Sequence, residues 1–208
     1  MDGRDGIGGY PFGSRVGGPL MLLKLPRVLR PKVRLEEGTL VVQFPRSAQV
    51  LSWAPLGGGM TQATHWLNHQ VEPSYKLRSD FPSPSKTLTQ IAKKLGLAPS
   101  VVGQMTSGDI RKFKKAFYSR KGWTVFAVAT VGYSNAVRVG ERAGHDSTRV
   151  GTINLLVWVS KPVALPTLLE ILQIAVEART LAVLDQKVKS RATGKPATGT
   201  GTDCIAIA

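Results

Sequence analysis

The sequence predicts an α+β domain in which helices pack on a mixed β-sheet. Two apolar runs, Trp123–Val131 and Ile153–Val159, have the composition of central strands, and we expect both faces of the first to be buried. Strands and helices come in separate groups along the chain rather than in strict alternation. This order favours α+β over the alternative, a layered α/β sandwich.

Length and composition predict one intracellular domain. The chain has 208 residues, of which 42% are apolar, enough for one domain with a sizeable core. Residues 1–19 are rich in glycine, so we expect a flexible N-terminal arm before a single domain at 20–208. The single cysteine, Cys204, excludes an intrachain disulfide. Without a secretory signal or a run of about 20 apolar residues, we expect a cytoplasmic protein with no membrane partner.

The first half of the chain is predicted to hold two strands and several short helices. Residues 39–44 and 48–53 are rich in strand formers, and residues 45–47 between them indicate a hairpin or a tight connection. The glycines at 57–59 end the second strand, and residues 61–71 then predict a short helix or turn. A helix follows at 86–95 with Gly96 as its stop, and another short one at 107–118 with Ser107 or Asp109 as its cap.

The last third is predicted to contain one long helix and a final strand. Thr167 and Glu170 match a capping box, which predicts a helix from 167 to about 188. Because this helix is apolar on most sides, we expect it to be well buried, with Glu177 as an ion-paired or functional acid. Residues 190–202 predict a polar loop and residues 203–208 the last strand.

The basic charge suggests a nucleic-acid partner, but the motif that would support one is weak. Lys and Arg number 28 against 13 Asp and Glu, a net charge of +15 that favours anionic partners. Residues 90–105 have the spacing of a helix-turn-helix, so DNA binding is one alternative function. Only Gln104 in its second helix can read a base edge, however. We interpret the basic clusters as solvated surfaces and expect no nucleic-acid partner.

Two histidines have a spacing that can bind metal. A helix would place His65 and His69 on one face, with His145 in a distant loop as a further ligand. Zinc hydrolases with this spacing have Glu after the first histidine, whereas Trp66 stands here. The alternative is that these histidines donate hydrogen bonds and that one is a catalytic base. We favour this alternative, and the sequence shows no required cofactor.

Polar groups cluster where predicted strands begin or end. Ser134, Asn135 and Arg138 follow the first central strand, and the segments 151–154 and 198–203 are rich in glycine and threonine. Glycine lets a backbone approach a ligand closely, and hydroxyl or amide groups both donate and accept hydrogen bonds. Asp203 is a candidate general base, and an aspartate that caps its own turn is the alternative.

Six segments keep a joint order and spacing from about residue 35 to the end. They are LSWAPLGGG at 51–59, LNHQV at 67–71, VGQMT at 102–106, VGYSNA at 131–136, GTIN at 151–154 and TGTGTD at 198–203. In this combination the chain resembles the adenosylcobinamide amidohydrolase family of corrinoid salvage. The resemblance implies hydrolysis of the amide that joins aminopropanol to a propionate side chain of the corrin ring. The products would be adenosylcobyric acid and 1-amino-2-propanol.

The resemblance and the polar strand ends together define a predicted site. We expect water activated by His69 or Asp203 to attack the amide carbonyl, with Asn68 and Asn135 stabilising the oxyanion. Residues expected to contact the substrate are Gly58, Gly59, Ser134, Asn135, Arg138, Thr152, Asn154, Thr200 and Thr202. The resemblance also implies a further loop and helix after the last strand, so we expect the chain to lack a C-terminal extension. A corrinoid-binding module without catalysis is the alternative function.

Overall fold

A computed structural model describes residues 30–72, 82–97, 99–141 and 151–208. The predicted arm at 1–19 and the candidate ligand His145 lie outside these residues. The described residues form ten strands, two α-helices and a 3-10 turn at Ile110–Lys112. The elements are β1 (Lys32–Glu36), β2 (Thr39–Ser52), β3 (Gly59–Gln70), α1 (Pro84–Lys94), β4 (Val101–Thr106), β5 (Lys114–Arg120), β6 (Trp123–Val131), β7 (Ala136–Val137), β8 (Ile153–Val159), α2 (Leu165–Asp185), β9 (Gly199–Thr200) and β10 (Cys204–Ile207).

Eight strands form one mixed sheet in the order β4-β3-β2-β10-β8-β6-β5, with β1 paired to the first half of β2. The pairs β3–β4 and β8–β10 are parallel, and the other neighbours are antiparallel. Strands β7 and β9 form a separate two-stranded ribbon. A mixed sheet with helices packed on it is the predicted α+β class, which the structure confirms.

The sheet curls strongly, so that strands distant in its order meet across an interior. Asn68 on β3 donates a hydrogen bond of 2.8 Å to Thr130 on β6, although three strands separate β3 from β6 in the sheet. The main core fills this interior, with Trp66, Phe126 and Leu156 fully buried. The apolar residues that point inward from both halves of the sheet therefore hold the curl closed.

Helices cover two parts of the outer face of the sheet. Leu88 and Ala92 of α1 pack on the outward residues of β2, β3 and β4. Leu168 and Ala175 of α2 pack on Ile205 and other outward residues of β10 and β8. None of the described helices is both long and apolar enough to cross a membrane.

Two predictions for the first half of the chain are wrong. The hairpin expected at 45–47 is instead a register shift within one continuous strand, β2, both halves of which pair with β3. Residues 61–71, expected to be helical, lie in β3. Trp66 points into the interior and Leu67 towards α1, both fully buried, so the alternation that marks a strand is hidden.

Residues 101–120 also differ from the prediction. The second helix of the expected helix-turn-helix is strand β4, which removes the DNA-reading element. Residues 107–118, expected as one short helix, form a 3-10 turn capped by Asp109 and then β5. Lys114, Lys115 and Arg120, which belong to a basic cluster at 111–121, lie on this strand, which is an edge of the sheet. Exposed lysines on an edge strand discourage pairing with other chains, which explains the cluster without a nucleic acid.

The long helix begins earlier and is less buried than expected. It starts at Leu165 after Ala164, with Pro166 in its first turn, so the predicted capping box at Thr167 and Glu170 does not form. Large apolar side chains such as Ile174 and Leu181 are exposed. Glu177 is also exposed and accepts a hydrogen bond of 3.0 Å from Gln173, so it is not a buried acid.

Candidate functional site

A cleft of about 400 Å³ opens at one end of the curled sheet, where β3 and β4 end and β8 and β10 begin. Its walls come from six separate parts of the chain. Among the residues that line it are Trp53, Gln104, Thr152, Asn154, Thr202, Asp203 and Cys204. The structure thus brings together four predicted site residues, Thr152, Asn154, Thr202 and Asp203, at one cleft.

The floor of the cleft holds a buried amide whose orientation is fixed. The Nδ2 of Asn154 donates to the Oδ1 of Asn68 at 2.8 Å and to the carbonyl oxygen of Met105 at 2.9 Å. A backbone carbonyl can only accept, so the Oδ1 of Asn154 must point away from it. This oxygen is buried and has no partner among the described residues. An unpaired buried acceptor costs about 1–3 kcal/mol, which favours a ligand or water that donates to it.

Gln104 provides a second such amide beside it. Its Nε2 lies 3.3 Å from the Sγ of Cys204, and its Oε1 is buried without a partner among the described residues. Burial raises the pKa of the Cys204 thiol to about 11, so the sulfur is a neutral thiol at neutral pH. The cleft therefore presents amide and thiol groups rather than a thiolate nucleophile.

Asp203 is held by four hydrogen bonds and is fully engaged. Its carboxylate accepts from the Nη1 of Arg179 at 2.8 Å, from the backbone N–H of Thr200 and Ile153 at 2.9 Å each, and from the Thr200 hydroxyl. A general base needs a free lone pair facing the attacking water. This geometry does not favour the predicted role of Asp203 as a base and matches the alternative, a carboxylate that organises its own loop.

Two threonines bridge the loops at the mouth of the cleft. The hydroxyl of Thr152 donates to the carbonyl oxygen of Thr202 at 2.7 Å, and that of Thr202 donates to the carbonyl oxygen of Gly151 at 2.9 Å, which leaves the two hydroxyl oxygens 2.7 Å apart. Asn135 approaches the same pair, since its Nδ2 lies 3.4 Å from the Thr202 hydroxyl. A side chain at Gly151 would lie 2.5 Å from the backbone nitrogen of Ser134, so the two loops pack too tightly for any residue but glycine.

Other predicted contact residues have structural roles away from the cleft lining. A side chain at Gly58 would lie 2.5 Å from the carbonyl oxygen of Ala54, so this glycine permits a tight turn, and Gly59 begins β3 with φ of +88°. Arg138 donates to the carbonyl of Pro196 at 3.0 Å. Thr200 donates hydrogen bonds to the Asp203 carboxylate through its backbone N–H and its hydroxyl.

The two histidines of β3 do not form a metal site. Four residues along a strand span about 13 Å, far beyond the distance at which two imidazoles share one ion. Each histidine hydrogen-bonds a threonine at 2.9 Å, His69 through Thr39 and His65 through Thr64. Burial lowers the pKa of both rings. The spacing of His65 and His69 indicates a shared metal ion only if the two residues lie on a helix. Among the described residues, no group of three metal-binding side chains occurs.

His69 and Asn68 also point to opposite faces of β3. Asn68 points inward to Thr130 and Asn154, whereas His69 lies on the outward face with Thr39. Asn68 therefore acts on the cleft through Asn154, and His69 is not among the residues that line it.

Among the cleft residues that the prediction missed are Trp53, Gln104 and Cys204. The indole Nε1 of Trp53 donates to the carbonyl oxygen of Asp203 at 2.8 Å, which places an exposed ring at the mouth. Trp53 and Gln104 both lie in segments that carried the family resemblance. Gln104 also stands at an inward position of a buried strand, where a polar side chain is unusual enough to be a signal, whereas a buried cysteine such as Cys204 is common and gives none.

Comparison with known proteins assigns the chain to a family. The family model described as adenosylcobinamide amidohydrolase matches residues 25–208, nearly the whole chain. No individually curated protein has a significantly similar sequence. On the strength of the family match, the chain belongs to the adenosylcobinamide amidohydrolase family.

Proposed function

We propose that the chain hydrolyses the amide between aminopropanol and a propionate side chain of adenosylcobinamide, releasing adenosylcobyric acid and 1-amino-2-propanol. The observation that carries the proposal is the pair of buried amides, Gln104 and Asn154, whose oxygens have no partner among the described residues. Membership of the family supports the choice of substrate.

The two amide oxygens suit a substrate that is fringed with amides. Each accepts an N–H and neither carries charge, so they recognise a carboxamide without favouring anions. The fixed orientation of Asn154 makes it a selective acceptor for an amide N–H. A cleft of about 400 Å³ accommodates one amide arm of a corrinoid but not the whole corrin ring with its adenosyl group.

The ring itself then rests on the mouth of the cleft. Trp53 is about half exposed there and is held by its bond to the Asp203 carbonyl. Aromatic side chains combine a large apolar surface with few rotatable bonds, so they bind flat ligands at a low entropic cost. We assign Trp53 the role of stacking against an apolar surface of the corrinoid.

The reaction requires a polarised carbonyl and an attacking water. We assign the polarising role to the hydroxyls of Thr152 and Thr202, because each can rotate from its present carbonyl acceptor to a developing oxyanion. The neutral thiol of Cys204 favours direct attack by water over a thioester intermediate. Asp203 positions this loop pair, and Asn68 positions Asn154.

A second candidate function is corrinoid binding without hydrolysis. It is favoured by one observation: among the described cleft residues the sole carboxylate, Asp203, is engaged by four donors. A binding module needs the amide acceptors but no base. The cytoplasmic location and the absence of a nucleic-acid partner stay predictions from the sequence.

One incubation separates the two candidates. The purified chain is mixed with adenosylcobinamide, the visible spectrum is followed for binding, and the products are identified by chromatography and mass spectrometry. Hydrolysis predicts adenosylcobyric acid and 1-amino-2-propanol in equal amounts. A spectral change without products supports the binding module. The absence of both a spectral change and products contradicts both candidates.

A matched pair of variants locates the activity. Thr202→Val removes one polarising hydroxyl and should lower the rate by about 10²-fold, as loss of one oxyanion donor does elsewhere. Thr61→Val makes the same change on β3, outside the cleft lining, and should leave the rate unchanged. Equal rates in both variants would exclude the assigned role.

A further inference from the structure

The outer face of β6 and β8 is apolar throughout, and its β6 side is left uncovered. Nine residues point outward from these two strands: Trp123, Val125, Ala127, Ala129 and Val131 from β6, and Ile153, Leu155, Val157 and Val159 from β8. Helix α2 covers only the side towards β10, and an apolar groove of about 580 Å³ remains beside it. The apolar composition of β6 led to the prediction that both of its faces are buried. The structure shows that the inward face is buried and the outward face is not. Apolar patches of this extent mark sites of association.

Helix α2 has an apolar stripe of its own on the side of the groove. Ile174, Ala178 and Leu181 recur at helical spacing and are exposed, Ile174 by 63%. The side that faces the sheet is separate and carries Leu168 and Ala175, which are buried. The helix therefore protrudes beside the groove with an apolar surface that nothing among the described residues covers.

The two borders of this face carry opposite charge. Helix α2 exposes Glu170, Glu177 and Asp185, while its one basic residue, Arg179, is tied to Asp203. On the far border, β5 has no acidic residue, and Lys114 and Arg120 alternate with the inward Phe117 so that they point outward. An acidic border in a chain of net charge +15 is unusual, and it lies opposite a basic one.

We infer that this face binds a second copy of the chain in a two-fold symmetric dimer. A two-fold axis parallel to the strands places each α2 in the groove of the other copy. The acidic side of the helix then meets the basic β5 of the second copy, twice by symmetry. A helix about 10 Å wide fits the space beside α2, above β6 and β5.

The size of the face suits a stable interface. Nine residues of β6 span about 30 Å, and three strands with one helix span about 25 Å, so the face covers roughly 750 Å². Stable interfaces bury about 800 Å² on each partner. The dimer would also cover the helix that carries Arg179, which holds Asp203 at the cleft.

Sedimentation velocity over about 1 to 100 µM tests the inference on the full chain. The wild type is expected to be a dimer, and Ile174→Glu is expected to weaken dimerisation at least tenfold, as a buried unpaired charge does. Leu35→Glu on β1 is the control, since Leu35 is also exposed, by 44%, and lies on another face. Circular dichroism confirms that each variant is folded.

Charge reversal tests the orientation. Glu177→Lys should weaken the dimer, and adding Lys114→Glu should restore it. A wild-type monomer at the highest concentration overturns the inference, as does a dimer that survives Ile174→Glu.

Discussion

The ion pair between Arg179 and Asp203 allows a decisive test of what Asp203 does. The two side chains are only 17% and 6% exposed, and three further donors complete the carboxylate. Asp203→Asn keeps the shape but removes the charge, so Arg179 is left as a buried cation without its partner. Both carboxylate oxygens accept hydrogen bonds, so the amide nitrogen of the new side chain takes a position that faces another donor.

Breaking one side of a buried pair costs about 3–5 kcal/mol in the free energy of unfolding. For a domain of this size each kcal/mol lowers Tm by about 2–4 °C, so we expect a fall of roughly 6–20 °C. Urea unfolding followed by circular dichroism measures the free energy, and a thermal melt measures Tm. Glu36→Gln is the control, because it breaks the exposed Arg34–Glu36 pair and should change stability by less than about 1 kcal/mol.

Stability and turnover of Asp203→Asn together distinguish an anchor from a base. An anchoring Asp203 predicts that stability and turnover fall together in Asp203→Asn. Wild-type stability combined with loss of turnover by orders of magnitude would refute it, since that is the behaviour of a catalytic base.

Three further predictions concern Cys204, His69 and Gly58. Burial raises the pKa of the Cys204 thiol to about 11 in the folded protein, from about 9 in the unfolded chain. The free energy of unfolding is therefore unaffected by this group below pH 9 and falls by about 2–3 kcal/mol as the pH rises to about 11. The stability advantage of wild type over Cys204→Ser, measured by urea unfolding, should therefore shrink over that interval, and a constant difference would contradict it. His69→Gln should keep turnover within about threefold of wild type, because the ring lies on the outward face of β3; a loss of 10²-fold or more would restore its catalytic role. Gly58→Ala should destabilise the fold by about 1–3 kcal/mol through overlap with the Ala54 carbonyl, and an unchanged melting temperature would disprove that packing.

Elements with strong local signals were predictable from the sequence. The apolar runs of β6 and β8 define strands by composition alone, and Gly96, with φ of +66°, follows α1 as a helix stop should. Strand β3 was missed because neighbours bury Trp66 and Leu67 from opposite sides, so no alternation remains to be seen. Where burial is two-sided, tertiary structure decides the element rather than local pattern.

The candidate site was predictable only in part, because some of its contacts also depend on tertiary structure. Thr152, Asn154 and Thr202 stand near strand ends beside glycines, a signal that the sequence carries openly. The contact of Asn154 with the Met105 carbonyl depends on how far the sheet curls, and Asp203 meets a helix residue 24 positions earlier in the chain. These are long-range contacts that spacing does not encode. They favour an anchoring role for Asp203 over the predicted role of a base.

The most direct test of the central claim is the rate at which Gln104→Met releases 1-amino-2-propanol from adenosylcobinamide. The change removes a buried amide whose oxygen has no partner among the described residues, so stability should hold or rise. We expect kcat/KM to fall at least about tenfold, because one hydrogen bond of about 1.4 kcal/mol is lost. The control, Gln49→Met on the exposed part of β2, should match wild type. Wild-type kcat/KM in Gln104→Met would contradict the assignment of this cleft as the site where the corrinoid amide binds.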